Sequence, residues 1–285
     1  MNGPWLQFLI MAAVGAAAEW AALGALLRAR PPALVTRNYR GTDVVSRGGI
    51  TLVAPLVVGA LLAWLLHDHL RFDGLALFAA VAATALYGAL GWLDDARGTT
   101  GVRGLKGHFA RLIRNREVTT GLVKALGGAV VGLWAAYLLG AQGWAILPGG
   151  AAIALSANAV NALDVRPGRA AKLTIVASVV LVAFAWAIPV RAPLIVLATL
   201  LGATLAFAPA DLRERVMLGD TGANPLGAVL GMSVVAVTHW PWWLALSAAL
   251  LAFSLAADRW SLTQALERTR WLSWLDELGR PRPRT

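Results

Sequence analysis

Long apolar stretches alternate with short charged stretches along the whole chain of 285 residues. A membrane-spanning helix needs roughly 17–25 mostly apolar residues, and windows of that length recur nine times. The predicted spans are residues 5–27, 48–66, 74–93, 119–139, 144–162, 171–189, 193–210, 223–239 and 242–258. The fifth and eighth carry the weakest signal, because Gly, Pro and Asn interrupt their apolar pattern. The pattern predicts an all-α polytopic membrane protein with about nine transmembrane helices.

Basic residues predict the orientation of these spans. The chain has 25 Lys and Arg residues, and an outer N-terminus places all of them except Arg71 and Arg191 in inner loops or at inner helix ends. Lys and Arg collect on the cytoplasmic side of membrane proteins. We therefore expect a multi-pass protein of the cytoplasmic membrane with its N-terminus outside and its C-terminus in the cytoplasm.

The chain divides into two parts of different character. Residues 1–258 form the predicted transmembrane domain, and residues 259–285 form a charged tail on the cytoplasmic side. We expect the tail to be an amphipathic helix on a surface of anionic lipid. Its apolar residues are Trp271, Leu272, Trp274, Leu275 and Leu278. The lipid bilayer is therefore an expected partner of both parts.

The composition excludes several other classes of protein. The chain is 58% apolar and 14% charged, with a mean hydropathy of +0.65, which is far from a soluble domain. The net charge of +10 lies in loops between apolar runs, so we do not expect a nucleic-acid partner. The absence of cysteine excludes disulfides and thiolate metal sites. The first apolar run is too long for a cleavable signal, and we expect it to be retained.

Four aspartates fall on the predicted inner face of the membrane. They are Asp94, Asp95, Asp164 and Asp220. A charge next to hydrocarbon is costly unless it is solvated, paired or bound to an ion or a substrate. Because separate segments bring these carboxylates to one side, we expect a single cytoplasmic site built from several loops.

The loops that carry these aspartates also hold Asn, Gly and basic residues, as in the segments 158–168 and 217–224. Carboxylate and amide oxygens suit Mg²⁺, which keeps several waters and substrate phosphates as its other ligands. Lys and Arg neutralise phosphate charge, and glycine lets backbone N–H groups approach phosphate oxygens. The residue types therefore predict a site for a diphosphate and a magnesium ion.

Four sequence blocks together resemble the polyprenyl-phosphate N-acetylhexosamine-1-phosphate transferases. These blocks are Asn38–Gly49, Gly91–Asp95, Asn158–Asp164 and Leu218–Gly222. Each block by itself is a common string. Their order, spacing and shared membrane face make the combination specific, and the resemblance covers residues 30–235.

The resemblance implies an enzyme that transfers a sugar-1-phosphate from a UDP-sugar to a polyprenyl phosphate and releases UMP. It implies a Mg²⁺ cofactor, a UDP-N-acetylhexosamine donor and an undecaprenyl phosphate acceptor. Such a reaction belongs to cell-envelope glycan synthesis, and a homodimer is compatible with it. The sequence leaves open which UDP-sugar is used and which polymer is built.

The resemblance also implies a role for individual residues. Asp94, Asp95 and Lys124 match catalytic positions. Asp94 is the expected base for the lipid phosphate or, in an alternative scheme, the nucleophile. Asp95 is expected to be its partner near the metal, and Lys124 to contact the diphosphate. Asp220 and Asn161 match the metal ligands. The expected substrate-binding residues are Asn158, Asp164, Lys106, His108 and Arg166.

Three departures from the family pattern keep alternatives open. Pro167 replaces an aspartate of the Asn-rich block, and Val165 replaces a glycine. The family's tenth span and its last inner loop with histidines have no counterpart here. The insert before Lys124 contains Lys106 and His108, so either lysine is a candidate for the essential one. A weakened relative that only binds a lipid phosphate or a partner protein, and a secondary transporter, are the competing hypotheses.

Overall fold

Each predicted span overlaps a helix in the computed structural model, which describes residues 4–38, 40–66, 72–98, 111, 114, 116–184, 192–260 and 262–281. The long helices are α1 (Pro4–Ala29), α2 (Val53–Leu65), α3 (Gly74–Arg97), α4 (Thr120–Leu138), α5 (Ile146–Leu163), α6 (Arg169–Phe184), α7 (Ala192–Leu212), α8 (Asp220–Val237) and α9 (Trp240–Ala257). Single 3₁₀ turns lead into α2 (Gly48–Leu52) and α5 (Gly143–Ala145).

Seven of the described helices are long and apolar enough to cross a membrane: α1 to α5, α7 and α9, with the 3₁₀ turns counted in. Polar residues interrupt the first turns of α8, and α6 is described only as far as Phe184. The structure therefore confirms an all-α polytopic membrane protein. The number of crossings and the orientation of the termini stay predictions.

Helices α7 and α8 form the centre of the bundle. Both are buried along most of their length; α1, α2 and α6 pack on α7, while α3 and α5 pack on α8. Gly227 and Gly231 lie one turn apart on α8, where an added Cβ would collide with Ser156 and Ile153 of α5. Small residues at such crossings let membrane helices approach closely. The close approach of α5 and α8 sets the spacing between the C-terminal end of α5 and the N-terminal end of α8.

The outer surface of the bundle is apolar. Trp64, Leu65, Val130, Val176 and Val180 each expose 61–68% of their surface. An apolar surface of this extent marks a membrane-facing face rather than a water-facing one. The exposed residues thus agree with the predicted bilayer partner.

A two-stranded sheet in the loop between α1 and α2 was not predicted. Strands β1 (Val35–Arg37) and β2 (Asp43–Val45) pair antiparallel, with Val35 opposite Val45 and Arg37 opposite Asp43. The Asn38 side chain accepts the N–H groups of Arg40 and Thr42 and so closes the turn. Asn commonly bonds to its neighbouring backbone in this way.

The outer edge of this hairpin pairs with the segment that leads into α8. The N–H of Met217 donates to the carbonyl of Val45 at 2.8 Å, and the N–H of Gly49 donates to that of Leu218 at 2.9 Å. Backbone hydrogen bonds therefore join the loop between α1 and α2 to the residues directly before Asp220.

The C-terminal tail contains two short helices, α10 (Leu262–Glu267) and α11 (Arg270–Glu277), where one was expected. Trp271, Trp274 and Leu278 of the expected apolar face are at least half exposed. The opposite side of α11 is bound to the protein: Asp276 accepts hydrogen bonds from Arg169 at 2.8 and 2.7 Å. The tail is thus attached to the start of α6.

Candidate active site

Four helix ends meet at one point on one side of the bundle. They are the C-terminal ends of α3 and α5 and the N-terminal ends of α4 and α8. Helix α3 extends to Arg97, four residues beyond its predicted end, so Asp94 and Asp95 lie on its last turn. Residues from distant parts of the sequence are brought together here, as the sequence led us to expect.

Lys124 lies between two carboxylates at this point. Its Nζ is 2.7 Å from Asp94 Oδ2 and also donates to Asp220 Oδ2. The three side chains are 18–23% exposed. Asp94 and Asp220 are close enough to interact with each other as well. One ammonium therefore serves two adjacent carboxylates, and this cluster keeps an excess negative charge that a further cation would balance.

Asn161 completes the cluster from the last turns of α5. Its amide nitrogen faces Asp220 Oδ1 at 2.7 Å and its amide oxygen faces Lys124 Nζ at 3.3 Å. The sequence predicted that Asn161 and Asp220 act together. The structure places them in direct contact, while their role as metal ligands stays a prediction.

Asp95 makes a different set of contacts from its neighbour Asp94. Its carboxylate accepts hydrogen bonds from the N–H of Asp220 at 3.2 Å, the N–H of Thr221 at 2.9 Å and the hydroxyl of Thr221 at 2.6 Å. The first N–H groups of a helix lack partners within the helix, and Asp95 supplies an acceptor for them from α3. The observed contacts of Asp95 therefore hold the start of α8 in place.

Two glycines make this approach of α3 to α8 possible. A Cβ at Gly91 would collide with the carbonyl oxygen of Asp220. Gly219, the residue before α8, has a φ of 70°, a conformation that non-glycine residues rarely adopt. A side chain at either position would push Asp220 away from Asp95.

Asp164 anchors the same turn from α5. Its Oδ2 accepts the N–H of Gly219 at 2.9 Å. Burial raises the pKa of Asp164 well above its usual value, and the nearby carboxylate of Asp211 raises the pKa further. Asp164 thus contacts the backbone next to Asp220, whereas contact with a nucleotide stays a prediction.

The other predicted substrate-binding residues are distributed over several places. The Asn158 amide donates to the hydroxyl of Ser254 on α9 at 2.9 Å while its side chain lines a cavity next to Lys124. Arg166 lines a separate cavity beneath the tail, together with Arg40 and Arg280. Lys106 and His108 lie outside the described residues.

Two cavities lie near the cluster of Asp94, Lys124 and Asp220. The polar cavity, of about 240 Å³, is lined by the polar side chains of Lys124, Asn158, Asn161, Asn224, Ser254 and Asp258. The apolar groove, of about 430 Å³, runs between α2, α3 and α8 and reaches Thr221 and Trp92. Its wall includes two hydroxyls, and both are already bonded, Thr84 to Ala80 and Thr221 to Asp95. The polar cavity and the apolar groove therefore lie on either side of the start of α8.

Sequence reasoning missed Thr221 and Asn224. Thr221 lies inside the block Leu218–Gly222, and a hydroxyl next to a helix start is a recognisable capping signal. Asn224 interrupts an apolar run, and in the sequence it counted only as a weakening of the apolar signal of the eighth predicted span. A buried amide within a membrane helix is itself a pointer to function.

The residues present fit a magnesium ion in type and number. No group of three or more His, Asp or Glu side chains is arranged to hold a metal among the residues that the structure describes. Mg²⁺ is commonly held by one or two carboxylates together with substrate phosphates. Asp94 and Asp220 supply two carboxylates and Asn161 an amide. Because Lys124 is bonded to both carboxylates, an ion that binds Asp220 has to displace or share this ammonium.

The comparison with protein families agrees with this geometry. The family model described as glycosyl transferase family 4 matches residues 77–238, which is more than half of the chain. The chain belongs to glycosyl transferase family 4. The match begins on α3 and ends just beyond α8, and so includes Asp94, Lys124, Asn161 and Asp220. No individual curated protein matches the chain.

Membership of this family confirms the resemblance drawn from the sequence. The family is that of the transferases that attach a sugar phosphate to a polyprenyl phosphate. The chain is therefore a transferase of the membrane-bound, phosphosugar-transferring type. The nucleotide donor, the metal and the residue roles belong to the proposal below.

Proposed function

We propose that this protein transfers a sugar-1-phosphate from a UDP-N-acetylhexosamine to a polyprenyl phosphate such as undecaprenyl phosphate and releases UMP. The observation that carries the proposal is the cluster of Asp94, Lys124 and Asp220, with a polar cavity on one side and an apolar groove on the other. A reaction between a lipid phosphate and a nucleotide diphosphate needs both environments at one point.

The proposed step is a displacement at phosphorus. An oxygen of the acceptor phosphate forms a bond to the sugar-linked phosphorus of the donor, and the bond from that phosphorus to the bridging oxygen breaks. UMP leaves with the bridging oxygen and the electron pair. Phosphoryl transfer depends mainly on positioning and on charge stabilisation, and Lys124 lies where it can neutralise the phosphate charge.

The acceptor already carries an anionic oxygen, so Asp94 has little proton chemistry to perform unless the lipid phosphate is singly ionised. In that case its carboxylate takes the remaining proton. Asp220 and Asn161 would hold a magnesium ion, which supplies Lewis-acid stabilisation of the leaving phosphate when bound. Asp95 and Asp164 fix the turn that carries Asp220.

The apolar groove suits the isoprenoid chain of the acceptor. Its walls come from α2, α3 and α8, within the part of the bundle that faces lipid. At its inner end the guanidinium of Arg47 lies 5.6 Å from the centre of the Trp92 ring. An arginine at the end of an apolar groove matches a lipid with a phosphate headgroup. We propose that this end faces the cytoplasm, because the basic residues collect on that side.

A donor screen tests the proposed reaction. Purified protein is incubated with undecaprenyl phosphate, MgCl₂ and each of several UDP-sugars, and UMP is measured. We expect UMP from at least one UDP-N-acetylhexosamine and none without the lipid. Lack of UMP with every donor, under conditions in which a related enzyme is active, would contradict the proposal. Binding of undecaprenyl phosphate without turnover would instead indicate a relative that only binds lipid phosphate.

A pair of tryptophan substitutions tests the groove. Ala89 lines the groove, whereas Leu86 on the same helix is exposed and lies outside it. We expect Ala89→Trp to raise the KM for undecaprenyl phosphate by about tenfold, because losing contact with a few methylene groups costs about that much. The KM for a two-isoprene acceptor should change little. Leu86→Trp is the matched control, and an equal effect of both variants would place the chain elsewhere.

A further inference from the structure

Asn224 is a buried amide without a visible structural function. It lies in the second turn of α8, is 3% exposed, and has Ala223, Pro225 and Leu226 as its neighbours in sequence. Its Nδ2 has no hydrogen-bond partner among the described residues. Other buried polar residues of this helix are paired: the Ser233 hydroxyl donates to the Val229 carbonyl at 2.7 Å.

An unpaired amide in this position lowers the stability of the fold. Most buried polar groups in proteins have a partner, and one that is left without a partner costs the full penalty of its desolvation. A leucine, whose side chain has the same branched shape, would occupy the apolar interior without that penalty. The retention of an amide therefore requires a partner that is not part of this chain.

The position of Asn224 indicates which partner that is. Asn224 lies four residues after Asp220, and residues four apart share one face of a helix. Its side chain lines the polar cavity together with Lys124 and Asn161. The torsion about the last side-chain bond of Asn is broad, so the amide can turn towards a group in the cavity. A group that attracts both an ammonium and an amide N–H is an oxygen-rich anion.

We infer that Asn224 binds substrate, donating its Nδ2–H to a phosphate oxygen that Lys124 neutralises. This inference rests on the proposed function, because it assigns the phosphate to the reaction at Asp94 and Asp220. The phosphate is that of the polyprenyl acceptor or the diphosphate of the nucleotide donor, which present the same oxygens to the amide. Asn224 thus becomes a contact residue of the site rather than an interruption of its helix.

The test combines stability with two separate binding measurements on the full chain in detergent. Asn224→Leu removes the donor and keeps the branched shape, and Ser233→Ala removes a paired hydroxyl from the same helix as a control. Thermal unfolding is measured without ligand. Affinity is then measured for undecaprenyl phosphate alone and for UDP-N-acetylglucosamine alone, each with MgCl₂.

We expect the melting temperature of Asn224→Leu to equal or exceed that of the wild type. Its affinity for one of the two ligands should fall about tenfold or more, as for a lost hydrogen bond to a charged group. The ligand that is affected identifies the phosphate that Asn224 contacts. Ser233→Ala should bind both ligands as the wild type does.

Other outcomes would overturn the inference. Unchanged affinity for both ligands would mean that a water molecule satisfies the amide. A lower melting temperature of Asn224→Leu, repeated in Asn224→Ala, would mean that the amide supports the fold. If the wild type binds neither ligand, the proposed function fails as well, whereas a wild type that binds both leaves that proposal standing and isolates the role of Asn224.

Discussion

Two networks of charged side chains lie at the ends of helices, and their composition is opposite. In the first, the ammonium of Lys124 serves the two carboxylates of Asp94 and Asp220. In the second, the guanidinium groups of Arg169 and Arg280 both bind the single carboxylate of Asp276. The first network has two negative charges for one positive charge. In the second network, both carboxylate oxygens of Asp276 accept hydrogen bonds from both arginines.

This difference separates a site that accepts a ligand from a contact that holds the fold. The Asp276 network also recruits Lys172, whose Nζ donates to the carbonyls of Leu275 and Leu278 at the end of α11. A cation stabilises the C-terminal end of a helix, and Lys172 supplies one at the end of α11. The cluster at Lys124 borders the polar cavity and keeps room for another cation. Burial of charge is common to both networks, and the balance of charge distinguishes them.

Removing a carboxylate from each network should give the largest difference between the two networks. We expect Asp220→Asn to lower kcat for UMP release by about 10²–10³-fold, because it weakens the proposed magnesium site and with it the stabilisation of transition-state charge. The melting temperature should change little, because Lys124 keeps Asp94 as its partner and one of two adjacent negative charges is removed. Asp276→Asn should retain most of the activity and lower the melting temperature instead. Equal loss of activity in both variants would show that the tail takes part in the reaction.

Removing a cation from each network should give the next largest effect. Lys124→Met leaves Asp94 and Asp220 facing each other without a counter-charge, and we expect a loss of about 2 kcal/mol in the free energy of unfolding. Millimolar MgCl₂ should restore part of this loss, since a divalent ion can take the place of the ammonium. Arg169→Met should lose a similar amount without rescue by MgCl₂. Thermal unfolding with and without MgCl₂ checks both expectations.

Acid should weaken the second network by a smaller amount. Although burial opposes it, hydrogen bonds from Arg169 and Arg280 lower the pKa of Asp276 to about 2. Because this pKa is lower in the folded state, the network stabilises the protein above about pH 4 and loses that effect as the pH falls towards 2, a change of about 2 kcal/mol. The melting temperature of the wild type should therefore fall more steeply between pH 4 and pH 2 than that of Asp276→Asn, which lacks the titrating group. Glu277→Gln, next to Asp276 but exposed, should leave the profile unchanged.

The sequence predicted most of the helices and the meeting of Asp94, Lys124, Asn161 and Asp220. Both predictions rested on strong local signals: a run of about 20 apolar residues, and short blocks that share one membrane face. The match to the family over residues 77–238 confirms the class of enzyme to which these blocks pointed.

The remaining features had no comparable local signal. The strands of the hairpin have three residues each, too short for an alternating pattern to be recognised. Arg169 and Asp276 are 107 residues apart, and nothing in the sequence pairs them. Asp94 and Asp95 are neighbours in the sequence, and only the direction of each side chain at the end of α3 decides its contacts. Asp94 contacts Lys124, and Asp95 contacts the start of α8.

The pairing of β2 with the segment before Asp220 has a consequence for synthesis in the cell. Chains fold from the N-terminus as they emerge, so β2 is made about 170 residues before its partner at Met217. Until then its free edge is a row of unpaired N–H and C=O groups, which other chains can bind. The ribosome completes α8 only after the six intervening helices, α2 to α7, have been made. Premature termination before Val216 would therefore leave an exposed edge strand and a fragment prone to aggregation.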